Sequence, residues 1–231
     1  MKFGLFYFLS ILPFISLAQQ EVLEVRGSVI EIGILVDGLN DSKYANADGS
    51  PYLNSEFIPA KVNDIKKTQF IRYNVVDQIF EVQIKTNKVV MLDLKNDFSI
   101  QLLDGSDKKY RTAMYSIDGK RIKSFFEVVK KSENFILYKQ ERKKYLKAQK
   151  AEGYQDKLPE RFVDEAPTFY ISNFKSDSPT LLELPNKKKK FVAFFEQQRK
   201  AVEKFMKQEK LGIKEPNDLV RIMDFVFSIT Q

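Results

Sequence analysis

The sequence predicts an α+β protein that is mainly β, with an antiparallel sheet arranged as a sandwich or half-open barrel and two C-terminal helices after it. Three observations support this prediction. Apolar residues alternate with polar ones at the period of a β-strand in several runs before Pro185. Turn pairs such as Asp104-Gly105 and Asp118-Gly119 separate these runs. After Pro185 the apolar residues repeat at the period of an amphipathic helix.

The N-terminal residues have the composition of a cleaved secretory signal peptide. An apolar run follows Lys2, and the small residues Ser16 and Ala18 occupy the positions that precede a cleavage site. The run is shorter than the roughly 20 residues of a membrane span, and Pro13 would break a helix near its end. We therefore expect three segments: a signal peptide (1–18), an antiparallel β domain (19–185) and a helical tail (186–231). The protein would be periplasmic or extracellular, with no transmembrane span after cleavage.

Composition excludes several classes of function. The chain contains no cysteine and no histidine, which excludes disulfides, Ser-His-Asp and Cys-His nucleophilic catalysis and the ordinary zinc site. The formal net charge of +7 is spread over 38 basic and 31 acidic residues. Because aromatic residues are not interleaved with the basic ones, we expect no nucleic-acid partner. Nucleotide-binding glycine motifs are also missing from the sequence, and no cofactor or metal is expected.

The first part of the β domain should contain strands on either side of a polar loop. Residues 21–35 are rich in branched side chains and predict one long bent strand or a pair, and residues 37–51 predict the loop. Two apolar-rich runs, 69–75 and 78–84, predict the next strands. The second run alternates strictly, which predicts that one face lies in water: Phe80, Val82 and Ile84 against Glu81, Gln83 and Lys85.

The remaining strands are expected between further turns. Residues 89–94 should return after a turn at 85–88. Residues 135–150 predict a strand with a frayed, basic continuation that suits an exposed sheet edge. The last strands are expected at 168–172 and 180–184. Prolines flank the latter, which favours an edge strand.

Two helices are predicted after residue 185. The first should present one apolar stripe, formed by Phe191, Phe194, Phe195, Val202, Phe205 and Met206. Gly212 is expected to end this helix, and Pro216 is expected at the first position of the second helix. The phenylalanines of the stripe should pack on the second helix and on one face of the sheet.

Short motifs in this chain resemble those of a known family. They are S-P-Y-L-N at residues 50–54, R-Y-N at 72–74, a tyrosine-rich strand near Tyr170 and the helical tail. This combination resembles an uncharacterised family of signal-peptide-bearing envelope proteins of Bacteroidota, over most of the chain after residue 18. The resemblance implies a compartment beyond the inner membrane, and it implies no catalytic residue.

Two groups of residues are candidates for interaction with a partner. The first combines residue types that are common at interface hot spots: Tyr52, Asn54, Arg72, Tyr73 and Asn74. Its alternative interpretation is structural, with Tyr73 in the core and Arg72 covering the sheet edge or tying down the loop at 50–54. The second group is the basic run Lys187, Lys188, Lys189 and Lys190. Cations are disfavoured at a helix N-terminus. Three interpretations are therefore open: the run is a solvated face, the helix starts later, or the run meets an anionic partner.

From these observations we expect a non-enzymatic exported envelope protein that binds a protein or polymer partner. One alternative is a carrier that holds a lipid or another apolar ligand inside a half-barrel. A weaker alternative is a carboxylate-based hydrolase, because the sequence does not show which of its acidic residues approach one another.

Overall fold

A computed structural model describes residues 33–37, 44–85, 88–149, 158–173 and 180–230. The predicted signal peptide and most of the predicted strand region at 21–35 lie outside the described residues. The expected fold class is confirmed, because the protein is α+β and mainly β with its helices at the C-terminal end. None of the helices in the described residues has the length and apolar character needed to cross a membrane.

Eleven strands form one sheet within the described residues. They are β1 Gly33–Asp37, β2 Ile58–Val62, β3 Gln69–Asn74, β4 Ile79–Lys85, β5 Lys88–Leu92, β6 Ser99–Leu102, β7 Lys109–Ile117, β8 Lys120–Lys131, β9 Phe135–Leu146, β10 Arg161–Asn173 and β11 Thr180–Glu183. Three α-helices follow: α1 Lys188–Ala193, α2 Arg199–Gln208 and α3 Pro216–Ser228. A short 3-10 turn, Glu196–Gln198, joins the first two helices.

The sheet combines an open half with a closed one. Its strand order is β1-β5-β4-β3-β2-β6-β7-β11-β10-β9-β8, and β8 also pairs with β7, so that β7 to β11 form a ring. The pairings are antiparallel except that of β11 with β7. The expectation that β11 is an edge strand is wrong, since it pairs with β10 and β7. Pro185 lies beyond the last residue of β11, so its missing N–H interrupts no ladder hydrogen bond.

Three clusters of buried side chains form the core. The open half buries residues of β2 to β6 together with Tyr110 of β7 and Phe125 of β8. The ring encloses a second cluster: Tyr115, Phe126, Ile136, Tyr138, Tyr170 and Leu181. The third cluster joins the outer faces of β9 and β10 to the helices. The expected packing of the helical tail on one sheet face is therefore present.

A small polar network lies beside the aromatic residues of the ring. Gln140 of β9 donates to the Ser124 hydroxyl of β8 at 3.1 Å, and it accepts from the Tyr170 hydroxyl at 3.4 Å. All three residues are buried. Burial raises the pKa of Tyr170, so its hydroxyl remains a donor to Gln140. The network satisfies polar groups that would otherwise be costly inside the ring.

The helical tail differs from the expectation of two helices. The predicted first helix is broken at Glu196, whose φ of 39° lies in the left-handed region and interrupts the helical ladder. The break lets Phe191 and Phe195 on one side, and Val202 and Met206 on the other, join the same core. The helices therefore number three in the described residues.

The end of α2 also differs from the prediction that Gly212 would terminate it. The helix ends at Gln208, and Lys210 adopts the left-handed conformation with φ of 54°. The Leu211 N–H then donates to the Met206 carbonyl at 2.9 Å, which is the hydrogen bond of a Schellman cap. Pro216 occupies the first turn of α3 as predicted.

Candidate functional site

The loop at 50–54 is attached to the C-terminal end of β3. The Leu53 N–H donates to the Tyr73 carbonyl at 2.9 Å, and the Val75 N–H donates to the Pro51 carbonyl at 2.8 Å. Tyr52 and Asn74 form an isolated antiparallel bridge. The short motifs S-P-Y-L-N and R-Y-N are therefore neighbours in space, although about 20 residues separate them along the chain.

Below this loop lies a buried ion pair between β3 and β4. The hairpin register places Arg72 directly opposite Glu81. The Arg72 Nε atom donates to Glu81 Oε2 at 2.8 Å, and the two residues are only 7% and 1% exposed. The expectation that Glu81 faces water is wrong. The loop at 50–54 covers this face of the hairpin, and Glu81 lies beneath it as the counter-ion of Arg72.

Tyr52 completes this buried group. Its hydroxyl accepts a hydrogen bond from Arg72 Nη2 and donates to Glu81 Oε1 at 3.3 Å. The Arg72 guanidinium carbon lies 3.6 Å from the centroid of the Tyr52 ring, and 4.6 Å from that of the Phe57 ring. Contacts of a cation with two aromatic rings are favourable when water is excluded. Hydrogen bonds and aromatic contacts therefore hold the guanidinium in one orientation.

The loop is also attached to the long hairpin of β9 and β10. The Lys143 Nζ atom of β9 donates to the Ser50 and Tyr52 carbonyls at 3.1 and 2.8 Å. Just before the loop, the Asp48 carbonyl accepts a hydrogen bond from the Phe162 N–H of β10 at 3.0 Å. The expectation that basic residues of β9 mark an exposed edge is therefore wrong for Lys143. The strand character predicted for this segment is confirmed as far as Leu146.

Aromatic rings surround the segment that precedes this loop. The Tyr44 ring centroid lies 5.1 Å from those of both Tyr145 and Phe162. Gly49 follows with φ of 88°, a conformation that strains any residue with a side chain. The segment from Tyr44 to Tyr52 therefore has a defined path between the β3–β4 hairpin and β10.

A cleft of about 300 Å³ opens between these elements. Tyr44 and Phe162 line it with aromatic rings, and Tyr52 and Arg72 line it with the exposed parts of the buried group. Smaller residues also line its walls, among them Ala45, Ser50 and Ser55. Glu81 neutralises the charge of Arg72, so the buried ion pair carries no net charge. The cleft therefore offers a partner hydroxyl groups and aromatic surface.

The other candidates of the first group have structural positions. Tyr73 is buried in the core, where its hydroxyl donates to Gln78 Oε1 at 2.7 Å. Burial, followed by the nearby Glu141, raises the Tyr73 pKa. The Asn74 side chain accepts from the N–H groups of Val76 and Asp77 and so shapes the turn. Asn54 is exposed and does not line the cleft.

Sequence reasoning missed four residues of this site: Tyr44, Glu81, Lys143 and Phe162. Glu81 could have been found, because counting back from the turn at 75–78 pairs it with Arg72. The other three meet their partners in the site across sequence separations that no local pattern reveals, as Tyr44 does with Phe162. Lys143, for example, lies 91 residues from its partner Tyr52.

The basic run lies at the start of the helical tail. Lys187 is the N-cap of α1 without a side-chain cap, and no acidic residue is present in the first turn. Lys187 to Lys190 are all exposed. The hypothesis that the helix starts after the run is wrong, because α1 begins at Lys188. A solvated face or an anionic partner remain as interpretations.

Replacing Lys188 by glutamate should stabilise the protein by about 0.3–1 kcal/mol, because an anion then replaces a cation at the positive end of a helix. Lys207→Glu is the matched control. Lys207 lies in the last turn of α2, where a basic residue is favourable, so this change should be destabilising. Urea unfolding of the two variants tests the prediction. Equal shifts in both variants would contradict it.

The described residues contain no group of three acidic side chains placed to hold a metal ion. No family model, curated protein or solved structure matches this chain. The function is therefore inferred from the geometry of the cleft and from the residues that form it.

Proposed function

We propose that this is a non-enzymatic, exported protein of the cell envelope that binds a protein or polymer partner through the cleft beside Tyr52 and Arg72. The observation that carries the proposal is the buried group of Tyr52, Arg72 and Glu81, which orients two lining residues in advance. Binding groups that are held before the partner arrives lose less entropy on association. The proposed export and envelope location rest on the apolar N-terminal run and on the family resemblance.

The size of the cleft favours recognition of one small group at a time. A volume of about 300 Å³ is at the lower end for ligand sites. Aromatic rings of Tyr44 and Phe162 suit a flat or ring-shaped group, while the hydroxyls of Ser50 and Ser55 suit its polar substituents. A side chain of a partner protein or one unit of a polymer chain meets these requirements.

The alternative functions have less structural support. A lipid carrier needs a hollow in the sheet, whereas six buried side chains occupy the inside of the ring. A carboxylate-based hydrolase needs two acids that act on one bond. Glu127 and Glu141 are two acids that lie close together, because Lys139 forms an ion pair with each of them. These ion pairs give both carboxylates a structural role. We therefore place both alternatives below partner binding.

A tryptophan placed in the cleft tests the proposal. Ala45 lines the cleft and is exposed, so Ala45→Trp should obstruct binding without disturbing the core. Ala201→Trp is the matched control, because Ala201 is exposed on α2 within the helical tail. Tagged forms would be purified from the native envelope, and co-eluting molecules would be identified by mass spectrometry.

We expect one stoichiometric protein or polymer to co-elute with the original protein and with Ala201→Trp, and to be reduced at least about tenfold with Ala45→Trp, equivalent to about 1.4 kcal/mol of binding free energy. Recovery of the same partner with Ala45→Trp would show that the cleft is not its site. Bound lipid in all three preparations would favour the carrier. Cleavage of a glycan or peptide that stops when one acid is replaced would overturn the proposal.

A further inference from the structure

Most of the net charge of the chain lies in one segment of the helical tail. Residues 187–210, which include α1 and α2, contain nine basic and three acidic residues and so carry a net charge of +6. The formal net charge of the whole chain is +7, which leaves only +1 for the rest of it. A concentration of charge of one sign attracts groups of the opposite sign. This segment is therefore the place where an anionic partner would be attracted most strongly.

The exposed side of α2 carries a row of lysines. Val202 and Met206 are buried in the core that joins the tail to the sheet. Lys200, Lys204 and Lys207 are exposed, and at about 3.6 residues per turn they lie on the opposite side of the helix. Their spacing of i, i+4 and i+7 makes them neighbours on the helix surface. The α2 helix therefore directs three adjacent positive charges away from the core.

The basic run at 187–190 adds four further charges. Phe191 and Val192 of α1 are buried in the same core as α2, whereas all four lysines of the run are exposed. Only residues 194–198 separate α1 from α2 along the chain. The exposed lysines of the run and of α2 are together called the tail lysines: Lys187, Lys188, Lys189, Lys190, Lys200, Lys204 and Lys207.

Acidic side chains do not neutralise the tail lysines. Among the described residues, none of these lysines forms an ion pair with an acid. Glu209, one of the three acids of the segment, is paired with Arg221 of α3 instead. Lysines at i and i+4 repel each other, and cations are unfavourable in the first turn of α1. The other two acids of the segment cannot compensate seven lysines, whereas an anionic surface can.

The residue types favour a lipid surface over a protein or a nucleic acid. Lysine carries a hydrated point charge and lacks the planar fork with which arginine recognises specific groups. Protein interfaces are depleted in lysine and enriched in arginine and aromatic residues, and single-stranded nucleic acids require aromatic side chains that stack on bases. The aromatic residues of this segment are phenylalanines that pack in the core. Clusters of about four to eight basic residues, by contrast, bind anionic phospholipid by charge.

We propose that the tail lysines bind the protein to a membrane surface that contains anionic phospholipid. The contact is electrostatic and peripheral, because the ammonium groups meet lipid phosphate groups while the phenylalanines of the segment stay in the core. Each lysine near such a surface strengthens binding roughly fivefold, so seven weak contacts together hold the protein at the membrane. The described residues that line the cleft include none from the tail. Membrane binding is therefore independent of what the cleft binds.

Sedimentation with lipid vesicles tests the proposal. The protein purified from the native envelope would be mixed with phosphatidylcholine vesicles, either pure or containing about 30% phosphatidylglycerol. We expect binding to the anionic vesicles only, and a loss of at least about tenfold when salt is raised from about 0.1 M to about 0.5 M, because salt screens exposed charges. Equal binding to neutral vesicles, or binding that salt does not weaken, would overturn the proposal. Binding to DNA or polyglutamate without binding to anionic vesicles would overturn it in favour of an anionic polymer.

Two triple variants test whether the tail lysines are the surface that binds. Each replaces three exposed lysines by glutamine, one variant on α1 and the other on α2, and each should lower the vesicle partition constant about 100-fold, at roughly fivefold per lysine. The substitutions are Lys188→Gln, Lys189→Gln and Lys190→Gln on α1, and Lys200→Gln, Lys204→Gln and Lys207→Gln on α2. Unchanged binding of both variants would overturn the proposal.

A third triple variant is the matched control for net charge. Lys61, Lys66 and Lys67 are exposed in the open half of the sheet, and their replacement by glutamine removes the same charge. Binding of this control should change by less than about twofold, because screening confines the attraction to charges close to the membrane. An equal loss in the control would overturn the assignment to the tail. Ala45→Trp, which obstructs the cleft, should bind vesicles like the original protein.

Discussion

Replacement of Glu81 by alanine is expected to lower the free energy of unfolding by about 3–5 kcal/mol. The change leaves the Arg72 guanidinium buried without its counter-ion, although Tyr52 still contacts it. Removal of one partner of a buried ion pair is costly because the remaining charge is desolvated and no opposite charge compensates it. Urea unfolding would measure this loss. It would be followed by circular dichroism, because the chain contains no tryptophan for fluorescence detection.

An exposed ion pair of the same length is the control for Glu81→Ala. Lys123 and Asp97 also lie 2.8 Å apart, but the Asp97 side chain is 86% exposed. Asp97→Ala should cost less than about 1 kcal/mol, because water and salt screen the pair. The double variant Arg72→Met with Glu81→Leu should recover much of the loss, since no charge is then buried. Similar losses for Glu81→Ala and Asp97→Ala would contradict the burial of this pair.

The second large effect is expected in the helical tail. Phe191→Ala and Phe195→Ala should each cost about 3–5 kcal/mol, because these rings are buried in the core that joins the helices to β9 and β10. The two rings also contact each other at a centroid distance of 5.2 Å in an edge-to-face arrangement, so their effects should not be additive. Denaturant unfolding of the single and double variants gives both quantities.

Phe205→Ala is the control within the same tail. Phe205 is half-buried and stacks on Phe225 with the ring centroids 4.1 Å apart. A loss of about 1–2 kcal/mol is expected, because part of the ring already contacts water and the stacked pair contributes about 0.5–1.5 kcal/mol. Losses below about 1 kcal/mol for both Phe191→Ala and Phe195→Ala would mean that the tail does not pack on the sheet.

Local patterns predicted a large part of the fold. The strands β3, β4 and β5 lie within one or two residues of their predicted limits, because each is an apolar-rich run that ends at a polar turn. The α3 helix begins at Pro216 as predicted, since proline suits the first turn of a helix. The predicted single first helix failed at Glu196, a helix-forming residue that the packing of the tail holds at positive φ.

The candidate site was predicted only in part. Residue type predicts Tyr52 and Arg72 as interface residues, and both line the cleft. The same criterion predicts Tyr73 and Asn74, but their side chains stabilise the core and a turn. Residue type does not distinguish these roles, because the same tyrosine or asparagine can face a partner or complete its own fold.

The sequence by itself determined the mainly β class, the β3–β4–β5 meander and the helical tail, because these depend on period, turns and caps within a few residues. Only the tertiary structure decided that Glu81 is buried, that β7 to β11 close into a ring and that Tyr44 and Phe162 share a cleft. These features depend on contacts between segments far apart in the chain. Such contacts form when burial of apolar surface outweighs the entropy of closing long loops, and no local pattern records which segments will meet.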